Sequence, residues 1–382
     1  MGVMKFLLAA PGSRGDFQPM LALARGLRAA GHEATVAARP LYAPDAAAFE
    51  VPFVPLGRDA DEFLRTQSGP NAIQAFLAQE LQAQLDVLPA LAAGADLVLG
   101  AGMAFAVRSA AEAAGVASLA VAYAPGLFMP SGRRSILLPE PLLLTLRAFH
   151  SKHGLPDVEN LLAYAFAPER VLLAADAALV GPLGGVTLWA PPTGALLLED
   201  PRPLDAGLEA FLAAGAPPVY IGFGSLTGSA PGLNEHLLRE VVGAVGCRAL
   251  LYTGTVPPGR QETNGQLFRI GHTSHAQLFA RVAAVMHHGG AGTLAAAARA
   301  GVPQVVVPHA YDQPFWAERA HRLGIAPAPV PARGVDAPTL IAALRHALES
   351  PSIQAQARAL ATTLSPRNGV ETVVKSLTLR PR

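Results

Sequence analysis

Features that would class the sequence at a glance are scarce. Cys247 is the one cysteine in 382 residues, which excludes a disulfide within the chain and a thiolate metal cluster. It opens the apolar stretch Cys247–Tyr252 and reads as a core residue, not a nucleophile. Charge is sparse too. Charged residues make up 15% of the chain and the net charge is +1, so there is no basic footprint for nucleic acid. Unbroken apolar runs are missing as well. The two uncharged stretches long enough to span a bilayer, 113–132 and 177–198, are interrupted by prolines and glycines at turn-like spacings and read as strands and loops. The apolar run Phe6–Ala10 is too short for a signal peptide, and the cytoplasm is the expected address.

What the chain does hold is alternation. Hydrophobic residues reach 51%, mostly alanine, leucine and valine, as expected of packed cores, and the length suits two domains. The opening strand Met4–Ala10, the loop Pro11–Asp16, a helix from about Gln18 with Pro19 in its first turn, and the strand Ala34–Arg39 form a βαβ unit. Further strands are read at Phe53–Leu56, Asp96–Gly100 and Ser118–Ala122, with helices at Ala72–Leu91 and Phe105–Ala114. Residues 125–170 break the rhythm. Their apolar side chains, among them Phe128, Leu142, Phe149 and Phe166, suit core packing first and an acceptor pocket or lid second. Proline and glycine crowd 181–203 as in a linker. A second α/β block follows from Pro218.

Its centre is His287-His288-Gly289-Gly290-Ala291-Gly292-Thr293. The apolar run Val282–Met286 before it reads as a buried strand, and the alanine-rich stretch after it as a helix capped by Gly301. Strand, glycine turn and helix make an anion site: small residues admit a ligand to the backbone, and the helix N-terminus offers N–H groups. An ordinary tight turn would look the same from the glycines alone. The second strand, Gly301–Pro308, ends in His309-Ala310-Tyr311-Asp312-Gln313-Pro314, which sets a carboxylate and an amide on the same sheet edge.

Together, HHGGAGT, AGVPQVVVP and DQPFWA resemble the donor-site signature of family 1 glycosyltransferases, densest over residues 267–327 and nearest to bacterial antibiotic-type and sterol-type enzymes. The resemblance implies an α/β chain of GT-B fold, two Rossmann-like domains facing across a cleft. It implies an N-terminal acceptor domain over 1–198, a C-terminal donor domain over 199–365, and a tail helix over 366–382 crossing back to the first. A nucleotide-sugar donor, UDP- or dTDP-linked, and a small hydrophobic acceptor are the expected partners, with inversion at the anomeric carbon.

Residue roles follow from the same resemblance. Asp16, in Gly15-Asp16-Phe17-Gln18-Pro19, stands where relatives place the catalytic base. The turn by itself favours an N-cap role for it, and the resemblance reverses that order. Ser225, His288, Gly289, Gly290, Gly292 and Thr293 are expected around the diphosphate, Asp312 and Gln313 on the sugar, and Thr273 and Ser274 at the nucleobase. His272-Thr273-Ser274-His275 lacks the proline and aromatic that several relatives carry there. No metal or cofactor is expected. Asp59-Ala60-Asp61 reads as a solvated helix start, and His272, His275, His287 and His288 have no carboxylate or thiolate at ligand spacing. The alternatives are a sterol or lipid glycosyltransferase in peripheral contact with a membrane, and a non-catalytic auxiliary protein of the same fold.

Overall fold

A computed structural model describes residues 2–58, 70–129, 138–224, 233–254, 265–364 and 369–379. The chain divides into two compact units, Met1–Leu198 with Asn368–Arg382, and Glu199–Arg367. The first carries β1 (Lys5–Ala10), α1 (Arg14–Ala29), β2 (Glu33–Ala38), α2 (Ala43–Ala48), β3 (Phe53–Pro55), α3 (Pro70–Ala92), β4 (Leu97–Ala101), α4 (Val107–Ala113), β5 (Ala117–Ala122), α5 (Glu140–His153), α6 (Leu161–Ala165), β6 (Val171–Leu173) and α7 (Ala177–Val180). Its strands lie in the order β3-β2-β1-β4-β5-β6, every neighbouring pair parallel. Such strands are covered on both faces, and this is why they read as near-continuous apolar runs.

The second unit carries α8 (Ala206–Ala213), β7 (Val219–Gly222), α9 (Glu235–Val245), β8 (Ala249–Tyr252), β9 (Leu267–Ile270), α10 (His275–Phe279), β10 (Ala284–His287), α11 (Ala291–Ala300), β11 (Gln304–Val306), α12 (Gln313–Arg322), α13 (Ala337–Glu349) and α14 (Pro351–Leu364). Its sheet runs β11-β10-β7-β8-β9 and is again parallel. Side chains alternate between its faces, as the period of two in a strand requires. Val219, Ile221, Ala284 and Met286 pack with α9 and α13, while Tyr220, Leu250 and Val285 pack with α8, α10 and α11.

Helix α1 starts at Arg14, about four residues earlier than the start near Gln18 expected from the sequence, and Pro19 lies inside it. The carbonyl that Pro19 leaves without a helical donor is that of Gly15, which is exposed to water, so the proline is tolerated. The apolar face Phe17, Met20, Leu21, Ala24 and Leu27 is buried at helical spacing. The described residues of 125–170 are mainly packed, not loose. Phe128, Leu142, Leu146, Leu161 and Phe166 are buried, whereas Leu144 is exposed. A buried polar chain ties α5 to α4: the His150 ring bonds Pro156 O at 2.5 Å and Ser109 Oγ at 2.8 Å. Among the described residues no helix is long and apolar enough to cross a membrane.

The final helix, α15 (Gly369–Leu379), buries Val370, Val373 and Leu377 in the core of the first unit, against α1. Gly26 of α1 is the point of close approach, where an added Cβ would run into Val370. A helix-interior Gly→Ala change usually stabilises by roughly 0.5–1 kcal/mol. Here the methyl would overpack the junction, so Gly26→Ala should instead destabilise by about 1–2 kcal/mol. Thermal unfolding reads the sign, and a raised midpoint would show that α15 does not dock at Gly26.

Candidate active site

Strand order reverses between β1 and β4 in the first sheet and between β7 and β10 in the second. Ligands of doubly wound sheets bind outside the carboxyl ends of the strands at such points. Asp16 lies at the first reversal and His288 at the second.

At the second reversal, β10 ends in His287, which is fully buried. Its Nε2 meets Gln304 Oε1 at 2.8 Å, and its Nδ1 accepts from Gly289 N at 3.1 Å. That pairing requires the neutral Nε2–H tautomer. Gln304 also donates to Leu294 O at 3.4 Å, which links β11 to α11. Gly289 has φ +90°, and an added Cβ there would press on Val306 and Gln313. Gly290 is the N-cap of α11, so Ala291, Gly292 and Thr293 present the unbonded N–H groups of its first turn. An added Cβ at Gly292 would meet nothing within 4 Å. The backbone there is open to a ligand. His288, the next residue, is half-buried, and its Nδ1 has no partner. Burial lowers its pKa to about 4, against a raising backbone hydrogen bond with Gly222.

The loop after β11 is braced from within. Gln313 Oε1 accepts from His309 N at 2.8 Å and from Ala310 N at 3.1 Å, and the side chain is buried. Asp312 Oδ2 accepts from Trp316 Nε1 at 3.0 Å. Tyr311 between them adopts φ +58° and is 87% exposed; strained, exposed residues of this kind gather at functional loops. Ser274 caps α10 by accepting from Gln277 N at 3.4 Å. Close by in sequence, the His272 ring bonds Tyr252 OH at 2.9 Å, an aromatic pair beside Thr273 that the sequence motif lacks. Ser225 and Asp59-Ala60-Asp61 lie outside the described residues. Among the described residues no cluster of three or more His, Cys, Asp or Glu could hold a metal ion.

At the first reversal, Asp16 proves not to be the N-cap of α1. Ser13 holds that position, and Asp16 is the third helical residue, the acidic partner of a capping box. The helix starts early enough to draw the carboxylate back, so that Oδ2 accepts from Ser13 N at 2.8 Å and Ser13 Oγ at 3.0 Å. Tyr123 OH donates to the Asp16 carbonyl at 3.1 Å. An added Cβ at Gly12 or at Gly102 would collide with the carboxylate. Part of the residue still reaches the surface, although protein packs round its carboxyl group. Burial raises the Asp16 pKa above its ordinary value, with the Ser13 bonds and the Arg39 charge opposing.

Residues 6–126 match the glycosyltransferase family 28 N-terminal domain, and residues 258–378 match the erythromycin biosynthesis protein CIII-like C-terminal domain. Glycosyltransferase GtfC of Amycolatopsis orientalis is 37% identical over 395 residues, spanning 94% of both chains. The chain belongs to the antibiotic-type glycosyltransferases. The vancomycin aglycone glucosyltransferase of the same organism is 36% identical over 94% of each chain, and its dTDP-epi-vancosaminyltransferase is 37% identical over 93% of this chain and 92% of its own. In three dimensions the glycotransferase of kitacinnamycin superposes with a TM-score of 0.76 at 21% identity over 99% of both chains. The calicheamicin glycosyltransferase CalG4 gives 0.75 at 17% identity over the whole of each. These likenesses speak to the fold, which is GT-B.

Within this glycosyltransferase, two polar groups at the site escape the sequence motifs. Arg39, at the end of β2, is buried, with its Nε unpartnered and its charge acting on Asp16. His309 is the second, and an arginine or a histidine at a strand end carries no signal of its own. The neutral histidines also set a pH dependence. His287 and His288 are held down to about 3 and about 4 from 6.5, in both cases chiefly by burial. Between those values and 6.5 the unfolded chain binds more protons. Their contribution is therefore present above 6.5 and lost as pH falls. At pH 5 the loss is about 2 kcal/mol per imidazole. Urea unfolding at pH 7.5 and pH 5 should show it, with a smaller difference in His287→Gln. A stability equal at both pH values would mean that these rings protonate freely in the fold.

Proposed function

We propose that this enzyme is an inverting glycosyltransferase that moves a sugar from a UDP- or dTDP-sugar to a hydroxyl of a small hydrophobic natural product. The observation that carries the reading is the pair of reversal-point sites: a carboxylate of raised pKa in one unit, and in the other a glycine turn with open N–H groups beside an imidazole whose Nδ1 has no partner. Relatives named for vancomycin aglycone and for a dTDP-sugar support the acceptor and donor classes.

The chemistry is a single displacement. Asp16 removes the acceptor hydroxyl proton while the oxygen bonds to the anomeric carbon and the bond to the diphosphate breaks, which inverts that carbon. An unperturbed aspartate, with a pKa near ~3.9, is a weak match for an alcohol; the upward shift from burial narrows the gap. Charge growing on the diphosphate is met by the N–H groups of Gly290 to Thr293, the Thr293 hydroxyl, the His288 ring and Ser225. Asp312 and Gln313 read the sugar hydroxyls, the latter through its amide NH₂, since its oxygen holds the loop. Thr273 and Ser274 meet the base, with the Tyr252–His272 pair as a stacking wall. N–H and O–H donors meet the charge, and the reading includes no metal.

A panel of UDP- and dTDP-sugars against polyketide, phenolic and peptide aglycones, with product configuration read by NMR, tests the function. Transfer with retained configuration would overturn inversion. Asp16→Asn should lower kcat by roughly 10²–10⁴ with donor binding intact, and it should lift stability at pH 7 more than at pH 3.5. The second effect follows because a raised carboxyl pKa costs stability as pH rises past the ordinary value. The acid limb of kcat/KM should lie above 3.8, the ordinary aspartate value. His288→Ala should cost ~10²–10³ in rate. An Asp16→Asn enzyme with wild-type turnover would place the base elsewhere.

Asp312→Ala should raise the donor KM and leave the affinity for free dTDP or UDP unchanged. Equal weakening of both would make Asp312 a brace of α12 through Trp316 and remove it from the sugar site.

A further inference from the structure

We propose that His309 is a second imidazole of the diphosphate subsite, acting beside His288 on the oxygens of the leaving group. The inference rests on the donor-site reading above and extends it to a residue outside the glycine turn. Six buried side-chain nitrogen or oxygen atoms among the described residues have no hydrogen-bond partner: Arg39 Nε, Thr253 Oγ1, Arg299 Nε, His288 Nδ1, and both ring nitrogens of His309. Three of the six thus belong to two histidines that follow adjacent parallel strands, β10 and β11. A neutral imidazole brings one N–H and one lone pair, and native folds rarely bury both unmet unless a ligand, ion or catalytic step uses them.

Backbone restraint aims the ring. Pro308 precedes it, and the His309 amide is held by Gln313 Oε1 at 2.8 Å. The ring packs against Phe223, which follows β7, with centroids 5.8 Å apart and planes tilted by 44°. From its place after β11 it therefore leans over the end of β10 toward the β7–β10 reversal. It comes near enough to His288 for the two rings to act on each other electrostatically. Asp312 instead accepts from Trp316 of α12. The contact with Phe223 at the reversal assigns His309 to the phosphate side of the donor and leaves the sugar to Asp312.

Calorimetry on the wild type, His309→Ala and His309→Gln decides it, with dTDP, UDP, inorganic pyrophosphate and the nucleosides thymidine and uridine as probes. His309→Ala should bind the nucleoside diphosphates and pyrophosphate about 10- to 100-fold more weakly and the nucleosides unchanged. His309→Gln, which restores an N–H donor, should recover part of the loss, a rescue that a purely structural role would not give. Unchanged nucleoside diphosphate affinity in His309→Ala would overturn the proposal. A raised KM for the nucleotide sugar with normal binding of free dTDP and UDP would also overturn it, by moving His309 to the sugar. A wild type that binds none of the diphosphates would sink the donor-site reading itself, an outcome separable from failure of His309 alone.

Discussion

The second unit depends on one buried ring. His287 stays neutral because it is removed from water, and its two nitrogens then have fixed and different jobs. Nε2–H serves Gln304, and the Nδ1 lone pair takes the Gly289 N–H. A proton on Nδ1 would set donor against donor at Gly289 and undo the turn. Gln304 carries the restraint to Leu294 of α11, so strand, glycine turn and helix are locked by a single polar chain. The turn is rigid before any ligand arrives, and the open N–H groups of α11 need no reorganisation to receive charge.

The two units repeat one device with different chemistry. Each has a polar side chain at its strand-order reversal, hemmed in by glycines from both flanking strand ends. Around Asp16 these are Gly12, after β1, and Gly102, after β4. Around His288 they are Gly224, after β7, and Gly290, after β10, where an added Cβ would lie 3.0 Å from the ring Cε1 and 2.6 Å from Nε2. Sterics alone would favour small residues at such crossings. Filling the space with an ionisable group is a choice that burial then amplifies, raising the carboxyl pKa and lowering that of the imidazole. Desolvation disfavours the charged form in both cases, so the carboxyl group keeps its proton to higher pH and the imidazole stays neutral.

The fold was legible because a parallel sheet covered on both faces leaves a plain trace: short apolar runs, each followed by a glycine turn and an alanine-rich helix. The glycine turn after β10 was legible for the same reason, since Gly289 and Gly301 stand where positive φ is needed. Cap chemistry was less so. Ser13 and Asp16 both suit an N-cap, and which one starts the helix depends on whether Pro19 is tolerated inside it, a matter decided by the exposure of Gly15. Groups brought together only by the sheet were not legible at all. Tyr123 is 107 residues from the Asp16 carbonyl it bonds, and Phe223 and His309 meet from two strands that are not neighbours. No spacing rule reaches across such distances.

Residues of the loop after β11 are committed before they bind anything, and this bears on how they would select. Gln313 spends its oxygen on the His309 and Ala310 amides, while Asp312 is oriented by an indole that is itself buried. A side chain so restrained offers a hydroxyl one direction of approach, not a choice of several. Epimers of a sugar differ in direction and hardly in polarity, so discrimination between them requires a group that does not swing to follow. The strained backbone of Tyr311 fits the same view. A residue held at φ +58° with its ring in water gains little from the fold, and its neighbours on both sides fix it there. The loop from His309 to Gln313 is therefore better described as a rigid jig than as a flexible lid, braced from within by Gln313 and at its end by the Asp312–Trp316 bond.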